Sequence, residues 1–431
     1  MLPRATRLGG VLAASTLLTS FTGIAGIAAH AASRGAGNRA GMFAYNIGIS
    51  VPLLQLPEIA NGISRGVDVA IAQANSKHTI PGVTLHPILL DDTLNGKYSG
   101  EKDAANARQF ITNVGVIGAV GPLNSGADKV SEPVYNANGL AQISPSNTAV
   151  ELTAPSKRAL YEPTTATTGS PITYFRTCAT DYYQGAEGAI YAREHGFKTV
   201  YVTDNKGQYG IGLATYFKQE SLKIGLAVLG QGELDPNNIA ISARSLAATI
   251  AAKKPGLVYF GGEYGSQGGA EILADDLRRA GLKNVTFMGG DGIFAQGFIS
   301  GSSAGGASGA LATTVGGNPA LDPSAQSFLA AEKAQFPGAS GAAFDTYSYD
   351  AANAIINAFA RAVKNGSIKV GQAMDRTRRL VIARQVQASD FLGASGPVSF
   401  DKNGDTRNHI IRVYKVVNGQ WVFQGNAPQI Q

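Results

Sequence analysis

The chain has 431 residues, 44% of them hydrophobic and 15% charged, with 36 Lys and Arg against 30 Asp and Glu for a net charge of +6. That length gives two or three domains, each able to bury its own core, and the composition excludes a disordered protein. The positive excess is spread thinly, and its densest run, Arg376-Thr377-Arg378-Arg379, has none of the interleaved aromatics that stack nucleic-acid bases, so it reads as a solvated helix face.

At the N-terminus, Arg4 and Arg7 precede an apolar run, and Ala29-His30-Ala31 offers the small side chains that a signal peptidase accepts. Residues 1–31 are therefore expected to be a cleaved secretion signal. Ser15, Thr16, Thr19 and Ser20 dilute the run below a membrane-spanning signal. The single cysteine, Cys178, excludes an internal disulfide and stands too deep in the chain for a lipid anchor at the cleavage point.

Strand-then-helix units follow. Residues 45–51 read as a buried strand, and Ile59, Ile63, Val67, Ile71 and Ala74 then recur at helical spacing. The unit repeats at 83–90 with 101–112 and at 114–120 with 127–137, and it begins again at 140–144. Residues 153–170, rich in Thr, Pro, Ser and Ala without periodicity, read as an extended loop. Beyond it, strands at 198–203 and 257–260 precede helices at about 212–223 and 267–280. A longer helix is expected at 350–364, before a β-rich end whose Asn418-Gly419 pair suits a tight hairpin turn. Two parallel-sheet α/β lobes are the expected architecture.

In such sheets ligands bind beyond the carboxyl ends of the strands, where helix N-termini present free N–H groups. Ser125, Ser146, Thr148, Tyr209, Tyr264 and Asp291 all follow predicted strands closely. Singly, Ser, Thr and Asp are most often helix caps. Together, hydroxyls from one half and a carboxylate with phenols from the other suit an amino acid zwitterion. Competing chemistry is weaker. Gly301-Ser302-Ser303-Ala304-Gly305 has nucleophile-elbow spacing but no strand before it. His78, His86, His195 and His409 are not paired at metal spacing. The turn beginning at Asp401 departs from a calcium loop at its sixth and twelfth positions, Thr406 and Arg412. No metal, cofactor or catalytic group is expected.

Ordered blocks then carry a resemblance. They are Asn61-Gly62, Asp91-Asp92, Gly121-Pro122-Leu123-Asn124-Ser125, Ile143-Ser144-Pro145-Ser146-Asn147-Thr148, Phe175-Arg176-Thr177 with Asp181, Tyr209-Gly210-Ile211-Gly212, Gly289-Gly290-Asp291-Gly292 and Gly396-Pro397-Val398-Ser399-Phe400-Asp401. In this order the chain resembles the Leu/Ile/Val-binding proteins, the type I periplasmic substrate-binding components of ABC transporters.

The resemblance implies a Venus flytrap of two Rossmann-like lobes joined by three crossover segments. Lobe 1 would comprise 43–175 and 316–394, and lobe 2 would comprise 176–315 and 395–431. It implies that Ser125, the backbone of Ser146 and Thr148 hold a ligand carboxylate and that Asp291 and Tyr209 hold its ammonium. Leu56 and Tyr264 would line the side-chain pocket. The implied protein is a monomer in the periplasm that delivers an amino acid to ABC permease subunits. A sensor subunit of the same fold and a secreted amide hydrolase are the alternatives. The chain departs from the family in its first turn, Val51-Pro52-Leu53-Leu54, which lacks a glycine-containing run, and in carrying Asp291 where branched-chain binders often have Glu.

Overall fold

The computed structural model describes residues 42–266, 268–315, 319–339 and 343–430; the expected secretion signal lies outside them. Among the described residues, strands β1 (Phe43–Val51), β2 (Val83–Asp91), β3 (Val116–Val120), β4 (Gln142–Ser144) and β5 (Tyr174–Arg176) form a parallel sheet in the order β2-β1-β3-β4-β5. β6 (Thr199–Asp204), β7 (Ala227–Glu233), β8 (Leu257–Gly261), β9 (Thr286–Gly289), β10 (Leu311–Thr314), β11 (Arg412–Val417) and β12 (Gln420–Asn426) form a second sheet in the order β12-β11-β10-β9-β8-β6-β7. That sheet is parallel except for its last hairpin. Asn418 and Gly419 turn the hairpin with φ of 50° and 75°, the pair of positive values that a two-residue turn between twisted strands requires.

Each sheet belongs to one lobe, and the chain passes between them three times. It leaves the first after β5 and returns from β10 through the helix Asp345–Lys364, which packs on the helix Pro57–Ser76 and on β3. It then goes back for β11. Helix Pro57–Ser76 starts with Pro at its first position and buries Ile59, Ile63, Val67 and Ile71. It crosses helix Asp345–Lys364 at Gly66, where a Cβ would lie 2.2 Å from both the Asp345 carbonyl oxygen and Ser348 Oγ. No helix among the described residues is long and apolar enough to cross a membrane.

One expectation changes. Residues 153–170 are not extended but fold into short helical pieces, Arg158–Tyr161 and Pro163–Thr168. Pro163 opens the second piece, Thr168 Oγ1 donates to the Thr164 carbonyl at 2.7 Å, and Gly169 ends it with φ 65°. Pieces this short never complete the periodicity by which a helix is recognised. The long helix also begins five residues earlier than expected, at Asp345.

Several acids of lobe 1 are buried, among them Asp92, Asp103, Asp128 and Glu132. The Ser50 hydroxyl donates to Asp103, and Gln142 Nε2 donates to Asp128 Oδ1 at 2.5 Å. Burial pushes Asp92 up to about 9, with Asp103 and Asp91 adding repulsion, and pushes Asp103 up to about 6. It also holds Asp128 and Glu132 well above the carboxylate range, against a pull from Arg176. Groups raised in the folded state stabilise it fully below their unfolded values and cease to do so as pH rises through the folded ones. Thermal stability should therefore fall by a few kcal/mol between pH 5 and pH 9. Calorimetric Tm across that range should show the decline, and Asp92→Asn should flatten its upper part.

Candidate functional site

Two loops of lobe 1 are stitched together at the strand ends. β3 runs into Gly121, whose φ of 109° and approach to Ser50 leave no room for a side chain: a Cβ there would lie 2.2 Å from the Ser50 carbonyl oxygen. The chain then enters the helix Ser125–Ala137. After β4, Ser144 Oγ donates to the Pro122 carbonyl at 2.9 Å and accepts from the N–H groups of Ser146 and Asn147. Ser146 Oγ donates to the Leu123 carbonyl, and Ser125 Oγ accepts from Ala149 N–H at 3.4 Å. Behind this loop the buried Arg176 donates to the carbonyls of Asn147 and Ala149 at 2.9 and 2.8 Å, to Thr153 Oγ1, and through Nε to Asp405 at 2.6 Å. The loop bearing Ser146 and Thr148 is thus held by a side chain from the first crossing and an acid from the third.

Lobe 2 supplies acids. Tyr209 lies in the first turn of the helix Gln208–Lys223, and its hydroxyl donates to Asp291 Oδ1 at 3.0 Å while accepting from Gly292 N–H at 3.1 Å. Asp291 follows β9. Burial pushes it up to about 6, while hydrogen bonds from Gln184 and Tyr209 pull it back. Glu263 follows β8 and is only 7% exposed. Asn205 Nδ2 donates to one of its carboxyl oxygens, and Asn124 Nδ2 of lobe 1 reaches the other at 3.4 Å. Burial raises the Glu263 carboxyl, the Asn205 bond opposes this, and Asp291 adds to it.

These groups share one cavity of about 30 Å³, room for one or two waters. Ser125, Ser146 and Asn124 line it from lobe 1; Tyr209, Asp291 and Glu263 line it from lobe 2. Leu56, Ile59, Leu123 and Phe344 supply apolar wall. Lys129 Nζ also donates across the gap to Gln208 Oε1 at 2.6 Å, so the lobes stand closed on each other. An amino acid needs more space than this, and its entry requires them to part.

Of the residues expected at the site, Leu56, Ser125, Ser146, Tyr209 and Asp291 lie together on the cavity wall. Thr148 and Tyr264 are not among the lining residues. Thr148 lies buried beside Asp181, and the Tyr264 ring runs against Gly297. Sequence reasoning missed Glu263 and Asn124. Glu263 stands just past a strand and next to the chosen Tyr264, so the strand-end rule alone was able to find it. The Gly301–Gly305 run wraps a carboxylate instead of presenting a nucleophile: Ser302 Oγ, Ser303 N–H, Ala304 N–H and Gly306 N–H all donate to Asp275. No described group of His, Cys, Asp and Glu is arranged to hold a metal ion.

What the cavity offers a ligand is polarised. The N-terminus of a 13-residue helix and a serine hydroxyl stand on one side, where an anion is favoured, with two carboxylates on the other. A family model described as periplasmic binding protein matches residues 53–420. The chain is 28% identical over 358 residues to the leucine-, isoleucine-, valine-, threonine- and alanine-binding protein of Pseudomonas aeruginosa, covering 81% of this chain and 83% of that one. It is 27% identical over 364 residues to Leu/Ile/Val-binding protein homolog 2 of Brucella abortus, covering 83% and 86%. A leucine-binding protein of Thermotoga maritima has a similar fold, with TM-score 0.71, 22% identity and coverage of 89% and 98%. So has a solute-binding protein of Rhodopseudomonas palustris in complex with p-hydroxybenzoic acid, with TM-score 0.71, 16% identity and coverage of 90% and 98%.

Proposed function

The chain belongs to the periplasmic binding protein family, and on that premise we propose that it captures an amino acid between its lobes and delivers it to the permease of an ABC importer. The observation that carries this reading is the pairing of Ser125 and the helix N-terminus behind it with Asp291 and Tyr209, from opposite lobes, around one buried cavity. A zwitterion meets both needs at once, since its carboxylate takes the hydroxyl and N–H donors and its ammonium takes the acid.

The lobes would be 43–175 with 316–394 and 176–315 with 395–431, hinged where the chain crosses between the sheets. The protein acts as a monomer in the periplasm and reaches it by the secretion signal expected at its N-terminus. Binding and release, with no chemical conversion of the ligand, is its whole task. The relatives' names favour branched-chain and small amino acids, whereas one structural neighbour holds p-hydroxybenzoic acid. Two buried carboxylates with no cation among the lining residues favour the zwitterion over an aromatic anion.

Thermal-shift measurements with leucine, valine, threonine, alanine and p-hydroxybenzoate test this, because a ligand that binds only the folded state raises Tm by mass action. At least one amino acid should raise it, and p-hydroxybenzoate should not. A shift with the aromatic acid alone would overturn the reading.

A further inference from the structure

Resting on the amino-acid reading, we propose that Glu263 makes this site selective for an amino acid with a second positive charge, a short diamino acid such as ornithine, over an aliphatic one. The cavity contains two carboxylates, and no Lys, Arg or His lines it. A single ligand ammonium engages Asp291, where the Tyr209 hydroxyl already orients the acceptor oxygen at 3.0 Å. Glu263 then remains as a second buried acid. Removing an anion from water is costly unless an opposite charge and hydrogen bonds replace the hydration.

The bonds Glu263 already has do not supply that charge. Asn205 and Asn124 are neutral amides, each giving one hydrogen to one oxygen, while an ionised carboxylate has about four acceptor positions. The Asn205 bond belongs to lobe 2 itself, because Asn205 Oδ1 also accepts from Gly207 N–H at 3.1 Å and so fixes the turn after β6. The Asn124 bond is long, at 3.4 Å, and joins the two lobes. It is lost whenever they part to admit a ligand, which leaves that oxygen facing the opening cavity. Leu56, Ile59, Leu123 and Phe344 provide the apolar wall that methylenes between two ammonium groups would cover. An aliphatic ligand satisfies this wall but leaves Glu263 either charged and unpaired or protonated.

A purely structural Glu263, kept only to brace Asn205, predicts no such preference. Calorimetric titrations of ornithine and leucine into the full chain and into Glu263→Gln at neutral pH separate the two. The substitution keeps the shape and one carbonyl acceptor while removing the charge. The expected result is that ornithine binds the native protein at least about tenfold more tightly than leucine. Glu263→Gln should weaken ornithine by a similar factor and leave leucine unchanged or tighter. Leucine binding more tightly than ornithine to the native protein would overturn the proposal, as would a variant that weakens both equally. If the variant does not fold, the native ranking alone decides. If no amino acid binds the native protein at all, the amino-acid reading itself falls and this proposal falls with it. A leucine preference removes only the selectivity.

Discussion

Alanine in place of Asp291 is expected to weaken binding of the preferred amino acid by about 2 to 5 kcal/mol, the usual cost of truncating one partner of a buried, hydrogen-bonded charge pair. This is a loss of about thirtyfold to several thousandfold. The carboxylate is 5% exposed, and Tyr209 is oriented by it and by Gly292 N–H, so its removal also frees the phenol. Acid should mimic the substitution. Burial raises this carboxyl to about 6. Only the ionised form pairs with an ammonium, so affinity should decline as pH falls through that value. Asp291→Asn, which has no proton to gain, should lose affinity at neutral pH and lose this component of the pH dependence. Calorimetry from pH 5 to pH 8 reads both effects, and a loss below about tenfold in Asp291→Ala would remove Asp291 from the site.

The largest loss of stability is expected at Arg176. Its guanidinium is fully buried and satisfies two carbonyls, a hydroxyl and the Asp405 carboxylate. Arg176→Met keeps much of the volume but leaves those acceptors without a donor. Breaking a buried pair in this way costs about 3 to 5 kcal/mol. Arg176→Lys should recover little, because a compact ammonium does not span acceptors set out for a planar fork. The same substitution loosens residues 147–149, so ligand affinity should fall along with stability, although Arg176 is not on the cavity wall. Urea unfolding and titration of the same variant measure the two losses. A stability change under about 1 kcal/mol would contradict this account of the loop.

How far the sequence foretold this depends on the length of the signal. The buried strands β3 and β8 carry nearly continuous apolar runs, β1 sets Tyr45, Ile47, Ile49 and Val51 at alternate positions, and all three were legible, as was the Asn418-Gly419 turn. β7 was not. Its burial is mixed, and Gly230 and Gly232 interrupt it because the Tyr201 ring and the Leu246 side chain occupy the space their Cβ atoms would need. At the site, the rule that ligands meet strand ends was enough to bring Ser125, Ser146, Tyr209 and Asp291 together. It does not say which way adjacent side chains turn. Between Glu263 and Tyr264, the outcome rests on the turn at Gly262, whose φ of 151° suits glycine. That turn sends the carboxylate into the cavity and leaves the phenol outside, a matter of backbone geometry that residue type does not reveal.

The acids enclosed in lobe 1 affect more than resistance to heat. Because acids raised by burial, Asp92 foremost at about 9, keep protons in the native chain that its unfolded form surrenders at neutrality, denaturation acidifies the surroundings, and the released ions are taken up by whatever buffer is present. The enthalpy recorded for melting therefore includes that buffer's own ionisation heat. Values obtained in phosphate and in an amine buffer differ by the number of protons set free multiplied by the difference between the two ionisation heats, so the comparison counts the charges that the folded chain leaves unformed.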